Sequence, residues 1–418
     1  MTSTTTTDDD AQHGLAQQGS AQQGSGQQGS GQHSHGGNAS GENSALPPNT
    51  RGHRFTSYDV DAFEVPGGRE EDWRFTPVKR LGGLHDGTAE ATGRIRVEVD
   101  SGSEAEVETV GRDDPRLGDG GVPADRVAAQ AWSSFDQATV VTVPKETRPE
   151  GPVTVTVHGP GQGEVAYGHV QIRAERFAEA TVVLDVRGSG VIGDNVEFVA
   201  EDSARLSAVV VHDMEDDSTQ VSSEHIGVGR DAVVRHLAVT LGGDLVRVNT
   251  TINYRDRGGD AELLGLYFSD SGQHLEHRML VDHSQPNCRS NVTYKGALQG
   301  ASAHSVWIGD VLIRAAAEGT DSFELNRNLV LTEGARADSV PNLEIETGEI
   351  EGAGHASATG RFDDEQLFYL QARGIPEDQA RRLVVRGFFG EILQKITVPE
   401  VRERLEAAIE EELAVVGA

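Results

Sequence analysis

The sequence predicts a mainly β protein: a body of repeated short strands, a modest α+β segment before it and a helical tail after it. Three observations carry that prediction. Apolar strand-like runs (PVTVTVHG, EVAYGHVQIRA, ATVVLDVRG, ARLSAVVVHD) follow one another beyond Gly151 with small-residue turns between them. Ala180, Ala204, Ala232 and Ala261 each follow an acidic or Gly-containing bend and open such a run, at spacings of 24, 28 and 29 residues. After residue 362 the apolar period changes from two to the helical one. Repeated strand–turn units of this length suit a solenoid, in which each coil buries its inward side chains on the next. A β-sandwich also gives many short strands, so periodicity favours the solenoid only slightly.

Residues 1–50 are expected to be disordered, since the Gln/Gly/Ser repeat AQQGSAQQGSGQQGSGQHSHGG has almost nothing to bury. His33 and His35 belong to that tail rather than to a metal site. Residues 51–150 form the α+β segment, where Phe55, Tyr58, Phe63, Trp73 and Phe75 cluster. In EEDWRFTPVKRL, Trp73 and Phe75 anchor the segment by core packing while Pro77 stops any helix. RIRVEV and ATVVTV read as strands and PADRVAAQAW as a helix. Residues 151–362 are the strand-built core; EGTDSFELNRNLVL and EGARADSVPNLEI continue its pattern. Residues 363–418 are helical, with Asp363 as N-cap, Gln366 as its capping-box partner and Gly374 at the stop. A second helix starts near Pro376 with Ala380, Leu383, Val384, Gly387, Phe388 and Ile392 at helix spacing, and a third opens at Pro399.

The charge balance excludes some functions. With 36 basic and 67 acidic residues the net charge is −31, which disfavours nucleic acid or an anionic membrane as partner and keeps the chain soluble. A lone cysteine, Cys288, excludes an intramolecular disulfide framework and fits a reducing cytosol. No apolar run is long enough to span a membrane, and the acidic, polar start is no signal peptide, so a cytoplasmic location is expected.

Few motifs carry chemistry. Gly188–Gly193 matches GxGxxG after a strand, but Val196, Phe198 and Ala200 then alternate as a strand would, where dinucleotide binding requires a helix. No GxxxxGK[ST] occurs, so the chain is not itself a P-loop ATPase. His274, Glu276, His277, His283 and Cys288 crowd together, yet their spacing fits no common zinc module, and on a strand His274 and His277 point to opposite faces. That segment reads as structural, with Cys288 a secondary candidate thiol. His355 stands apart. It follows the extended SVPNLEIE and a Gly-rich bend, Gly352-Ala353-Gly354, where no bulky neighbour buries it, and neutral imidazole is a competent iron ligand.

The stretch from Ser339 to Ile375, with its isolated histidine followed by DDEQLFYLQARGI and then GFFGEI, resembles the SufB/SufD family, the scaffold subunits of the SUF iron–sulfur cluster assembly machinery. EEDWRFTPVKRL and the His-Pro-Ser-Tyr-Lys-Gly segment around residues 283–296 resemble further family motifs. The resemblance implies a right-handed parallel β-helix body and a non-enzymatic scaffold. It implies pairing with SufB through the last coils, or association of two copies when alone, and docking of the SufC ATPase on the helical tail. Phe368, Tyr369, Gly374, Ile375, Phe388 and Phe389 are the candidate tail contacts. His355 matches the SufD-branch histidine that contributes to a transient cluster shared with SufB, and no cluster is expected in the isolated chain. Some members carry a cysteine two residues before this histidine; here that position is Ala353. The lone cysteine favours a SufD-like over a SufB-type chain. A β-helix enzyme acting on polysaccharide is the rival class, and it would call for secretion.

Overall fold

The computed structural model describes residues 54–102, 104–362 and 364–415. The N-terminal disorder expectation and the Asp363 cap lie outside these residues. The chain opens with β1 (Arg96–Asp100), β2 (Glu106–Val110), helix α1 (Arg126–Ser134) and β3 (Ala138–Val143). Strands then follow with short turns: β4 (Val153–His158), β5 (Val165–Ala174), β6 (Glu179–Gly188), β7 (Val191–Ala200), β8 (Arg205–Met214), β9 (Thr219–Val228) and β10 (Val233–Thr240). The series continues through β11 (Leu245–Tyr254), β12 (Asp260–Ser269), β13 (His274–His283), β14 (Arg289–Leu298) and β15 (His304–Ile313). It ends with β16 (Thr320–Val330), β17 (Arg336–Ile345) and β18 (Ile350–Arg361), and three helices follow: α2 (Asp364–Gln371), α3 (Glu377–Leu393) and α4 (Pro399–Val415).

From β3 onward, successive strands alternate between two nine-stranded sheets. Sheet 1 runs β1-β4-β6-β8-β10-β12-β14-β16-β18 and sheet 2 runs β2-β3-β5-β7-β9-β11-β13-β15-β17. Neighbours within each sheet are parallel except β1 on β4 and β2 on β3. This is a parallel β-solenoid of about eight turns, which settles the choice that periodicity left open. The coil lengthens along the stack: Glu179 pairs with Arg205, 26 residues on, whereas Arg289 pairs with Asp321, 32 residues on. β3 already pairs in parallel with β5, so the solenoid sheets begin within residues 51–150.

Inward side chains of both sheets make the main core, from Val141 through Phe198, Ile252 and Met279 to Trp307 and Ile313. Several polar groups inside it are paired, which offsets the cost of their burial. Glu224 accepts from Thr250 Oγ1 at 2.9 Å and lies 3.3 Å from His212 Nε2 and 3.1 Å from His236 Nε2. The outer face of sheet 2 is covered by the N-terminal segment. Asp125 caps α1 by accepting from the Ala128 amide, and Trp73 packs with Leu81, Leu84 and Val221. The buried Arg247 guanidinium lies 3.9 Å above the Trp73 ring and bonds Glu276 at 2.8 Å. The outer face of sheet 1 is covered by the tail, where Val385, Phe389, Ile392, Leu405 and Ile409 pack on Leu237, Val239, Leu264, Leu266 and Phe268.

Three sequence readings are clarified. Gly188 and Gly190 take positive φ in the β6–β7 turn and β7 follows as a strand, so the GxGxxG match is a tight turn. His274 and His277 do face opposite sides of β13: His274 Nδ1 lies 3.1 Å from His304 Nδ1, while His277 stacks on Tyr267 inside. The face that α3 buries differs from the predicted stripe. Leu383 is exposed while Val385 and Phe389 are buried. Apolar residues ring this helix through VVRGFF, so the complementary surface of sheet 1 chooses the buried face.

Candidate functional site

The solenoid ends in β17 and β18, the last strands of their sheets. The predicted Gly-rich bend at 352–354 is instead part of β18, paired in register with β16 (Asp321 with Gly352, Glu324 with His355). Glycine weakens a strand, but a ladder of backbone hydrogen bonds to β16 outweighs that preference. Gly354 also gives passage to the Phe323 ring, which a Cβ there would meet at 3.3 Å.

β16 inverts the usual alternation. Thr320, Ser322, Glu324, Asn326 and Asn328 are buried, while Asp321, Phe323 and Arg327 are exposed. The lumen at this end is therefore polar. Tyr267 donates to Asn328 Oδ1 at 2.6 Å, Asn328 donates to Asn326 Oδ1 at 2.7 Å, and Asn326 donates to the Tyr267 oxygen at 3.0 Å. Ser357 of β18 and Ser339 of β17 meet at 2.8 Å across the two sheets.

His355 sits above this network with 44% of its side chain exposed, and Glu324 lies beneath it, 1% exposed, with Oε1 3.8 Å from Nδ1 of the imidazole. That oxygen has no hydrogen-bond partner among the described residues. Burial, reinforced by the charge of Asp310, pushes the Glu324 carboxyl up to about 8. Gly309 makes the space for it, since a Cβ there would collide with Glu324 Oε2 and the Trp307 ring. The arrangement offers one solvent-facing imidazole backed by a buried carboxyl. Among the described residues no group of three or more His, Cys, Asp or Glu is placed to hold a metal ion.

Cys288 is buried in the main core, its Sγ 3.6 Å from the carbonyls of Asp256 and Pro286. Burial raises its pKa, which suits packing rather than thiolate ligation. The tail candidates separate sharply. Phe368 and Tyr369 on α2 are 72% and 54% exposed. Gly374 is exposed at φ +83 and Ile375 is half-buried. Phe388 is half-buried under Lys295, whose Nζ lies 5.5 Å from its ring centroid. Phe389, expected among the partner contacts, is fully buried against sheet 1 and is corrected to a core residue.

Sequence reasoning missed Glu324, Asn326 and Asn328. The signal was present: TDSFELNRNLV places polar residues at every second position from Thr320 to Asn328, with Phe323, Leu325 and Leu329 on the other face, the reverse of what its neighbours do.

Residues 156–388 match the family model described as SUF system FeS cluster assembly, SufBD core domain. The chain is 65% identical over 373 residues to an iron-sulfur cluster assembly SufBD family protein of Mycobacterium bovis, covering 88% of this chain and 94% of that one. It is 28% identical over 276 residues to the iron-sulfur cluster assembly protein SufD of Bacillus subtilis, covering 64% of this chain and 62% of that one. With SufD of Escherichia coli it shares 25% over 186 residues, 44% of each chain. With most of its solenoid body inside the matched region and a relative so similar along nearly its whole length, the chain belongs to the SufB/SufD family of the SUF iron–sulfur cluster assembly system.

Proposed function

We propose that the chain is a SufD-type, non-enzymatic cytoplasmic scaffold that pairs with SufB and docks the SufC ATPase. The observation that carries this reading is the half-exposed His355 on the terminal strand β18, at the rim of a polar lumen and above the buried Glu324. The long free edges of β17 and β18 suit end-on pairing with a related solenoid. His355 supplies one nitrogen to an iron–sulfur cluster that is cargo of the assembly; the remaining ligands come from SufB, most simply as thiolates. The burial of Cys288, the one cysteine of the chain, supports a SufD-type over a SufB-type role. Phe368 and Tyr369 form the SufC contact, because α2 leaves them exposed while α3 and α4 spend their apolar faces on sheet 1. ATP binding by SufC would then shift the tail and open the seam at β17 and β18.

The test is the iron and sulfide content of wild-type and His355→Ala complexes, each co-expressed with SufB and SufC and normalised to SufB. The variant should assemble with its partners, since one side chain contributes little to an interface of ordinary size. It should carry far less cluster. Equal cluster content would reduce His355 to a strand-end residue.

A further inference from the structure

A cavity lies on the outer face of sheet 2, beneath the N-terminal segment. Its floor spans four successive coils in register: His225 pairs with Thr251, Thr251 with Leu280, and one row along Asn253 pairs with Asp282 and Asp282 with Leu312. The loop from Asp119 to Ala124 walls it on one side, and Arg54, Arg255 and Arg314 stand at its rim around about 330 Å³ of space. That volume is in the range of small-molecule sites.

The groups facing the cavity are unusual in two ways. His225 is buried, yet neither of its ring nitrogens has a hydrogen-bond partner among the described residues. A buried polar group left unpaired costs about 1–3 kcal/mol, so such a group points to a missing partner. Burial lowers the imidazole to about 4, so it is neutral and offers one N–H donor and one acceptor. The loop is built to close over it: a Cβ at Gly121 would lie 2.7 Å from His225 Nδ1.

The second feature is charge. Asp119 is engaged by Arg173, and Asp282 by Arg314 in a two-pronged pair at 2.7 and 2.8 Å. The Arg255 amide donates to the Val228 carbonyl at 2.8 Å, but its guanidinium has no hydrogen bond or ion pair among the described residues. Its guanidinium is held along the strands because Gly227 beneath it has no side chain; a Cβ there would meet Arg255 Nε at 2.8 Å. Asp119, Glu197 and Glu201 act on this guanidinium without pairing with it, and Arg173 opposes them, so its hydrogen-bond donors stay available over the cavity. Between the polar groups, Val122, Leu280 and Leu312 provide apolar wall.

We propose that this cavity binds a small organic anion, a carboxylate or a phosphate ester with an apolar body, its oxyanion held by Arg255 and hydrogen-bonded by His225. Arg54 adds positive potential at the mouth. The apolar body rests on Leu280 and Leu312. This site is independent of His355 and of cluster assembly, and it makes the N-terminal arm, which supplies the loop and Arg54, part of a binding wall.

The full chain titrated by calorimetry with phenyl phosphate, phenylacetate and inorganic phosphate tests the proposal. One of the two aromatic anions should bind at one site per chain with a dissociation constant below about 10 mM. The tighter of the two assigns the oxyanion as phosphate or carboxylate. Arg255 is exposed, so Arg255→Gln should fold normally and weaken binding about tenfold or more, the usual effect of losing a charge-assisted hydrogen bond. His225→Leu, checked for folding by circular dichroism, should weaken it as well. The proposal is overturned if neither aromatic anion binds, or if Arg255→Gln binds as tightly as wild type. Inorganic phosphate binding as tightly as phenyl phosphate would overturn the role of the apolar wall.

Discussion

Phe389 and Phe368 lie on neighbouring tail helices and have opposite surroundings, which makes them a sharp test of how the tail is used. Phe389→Ala removes a ring that is 0% exposed and packed with Val385 and Ile392 against Leu237, Leu264 and Phe268. The lost transfer term is about 3 kcal/mol, and the cavity left between a helix and a rigid sheet raises the cost to about 3–5 kcal/mol. Phe368, 72% exposed, should change stability by no more than about 0.5 kcal/mol when replaced by alanine. Because the tail can open from the body as a local unit, the assay is hydrogen exchange of the α3 amides, which reports its opening free energy directly. Phe389→Ala should speed that exchange by more than two orders of magnitude, and Phe368→Ala should leave it unchanged. SufC affinity by calorimetry should show the reverse: a loss of about thirtyfold for Phe368→Ala if it is an anchor worth about 2 kcal/mol. Unchanged α3 exchange in Phe389→Ala would refute the docking of the tail on sheet 1. Unchanged SufC affinity in Phe368→Ala would refute the assignment of α2 as the contact.

Deleting residues 364–418 should uncover Leu237, Val239, Leu264, Leu266 and Phe268 together, so the truncated solenoid should aggregate, which light scattering would detect. His277 and His283 are buried and neutral, lowered to about 3 and about 4, while in the unfolded chain each titrates near 6.5. Between those values the unfolded state binds more protons, so these two groups make stability fall as pH drops from about 6.5 to 4, by about 1.4 kcal/mol per unit each at most. Denaturant melts across that range check the sign, and a stability that is flat or rises toward pH 4.5 would contradict it. Glu324, raised to about 8, works oppositely: its stabilising protonated form is lost as pH rises through that value, so Glu324→Gln should gain stability over wild type above pH 8. Anaerobic reconstitution of the isolated chain should leave little iron or sulfide bound, and ATP hydrolysis should be at background; near-stoichiometric cluster would overturn the shared-ligand reading.

The strands were legible because inward Val, Ile, Leu and Ala recur at period two over β4 to β15, and the Ala-led turns marked each coil. Stacking as a solenoid rather than as two folded-over sheets was not, since each strand's pattern is the same in both; the long-range register decides it. Glycine at 352 and 354 suggested a bend because local composition reports backbone freedom, not the neighbour strand that uses it. At the site, His355 could be singled out by its small neighbours, but its partner Glu324 is 31 positions earlier and becomes adjacent only through the pairing of β16 with β18. Phe388 and Phe389 show a further limit: adjacent identical residues on one helix differ in burial because the sheet they face is remote in sequence.

The two ends of the solenoid are not equivalent. β1 and β2 are five residues each, run antiparallel to their neighbours and alternate charged side chains such as Arg96, Glu98, Glu106 and Glu108, which blunts edge pairing. β17 and β18 run to 10 and 12 residues and pair in parallel with their neighbours, β18 after one bulge at Glu351. A unit with one reactive end has a valence of one. Joined end to end, such units terminate each other, so an end-on product cannot grow beyond two members. A solenoid open at both ends would instead grow head to tail without limit. The same antiparallel strands that look like a minor ornament of the first coil therefore set the size of any end-on assembly, and guard a long stack of parallel strands against becoming a fibre.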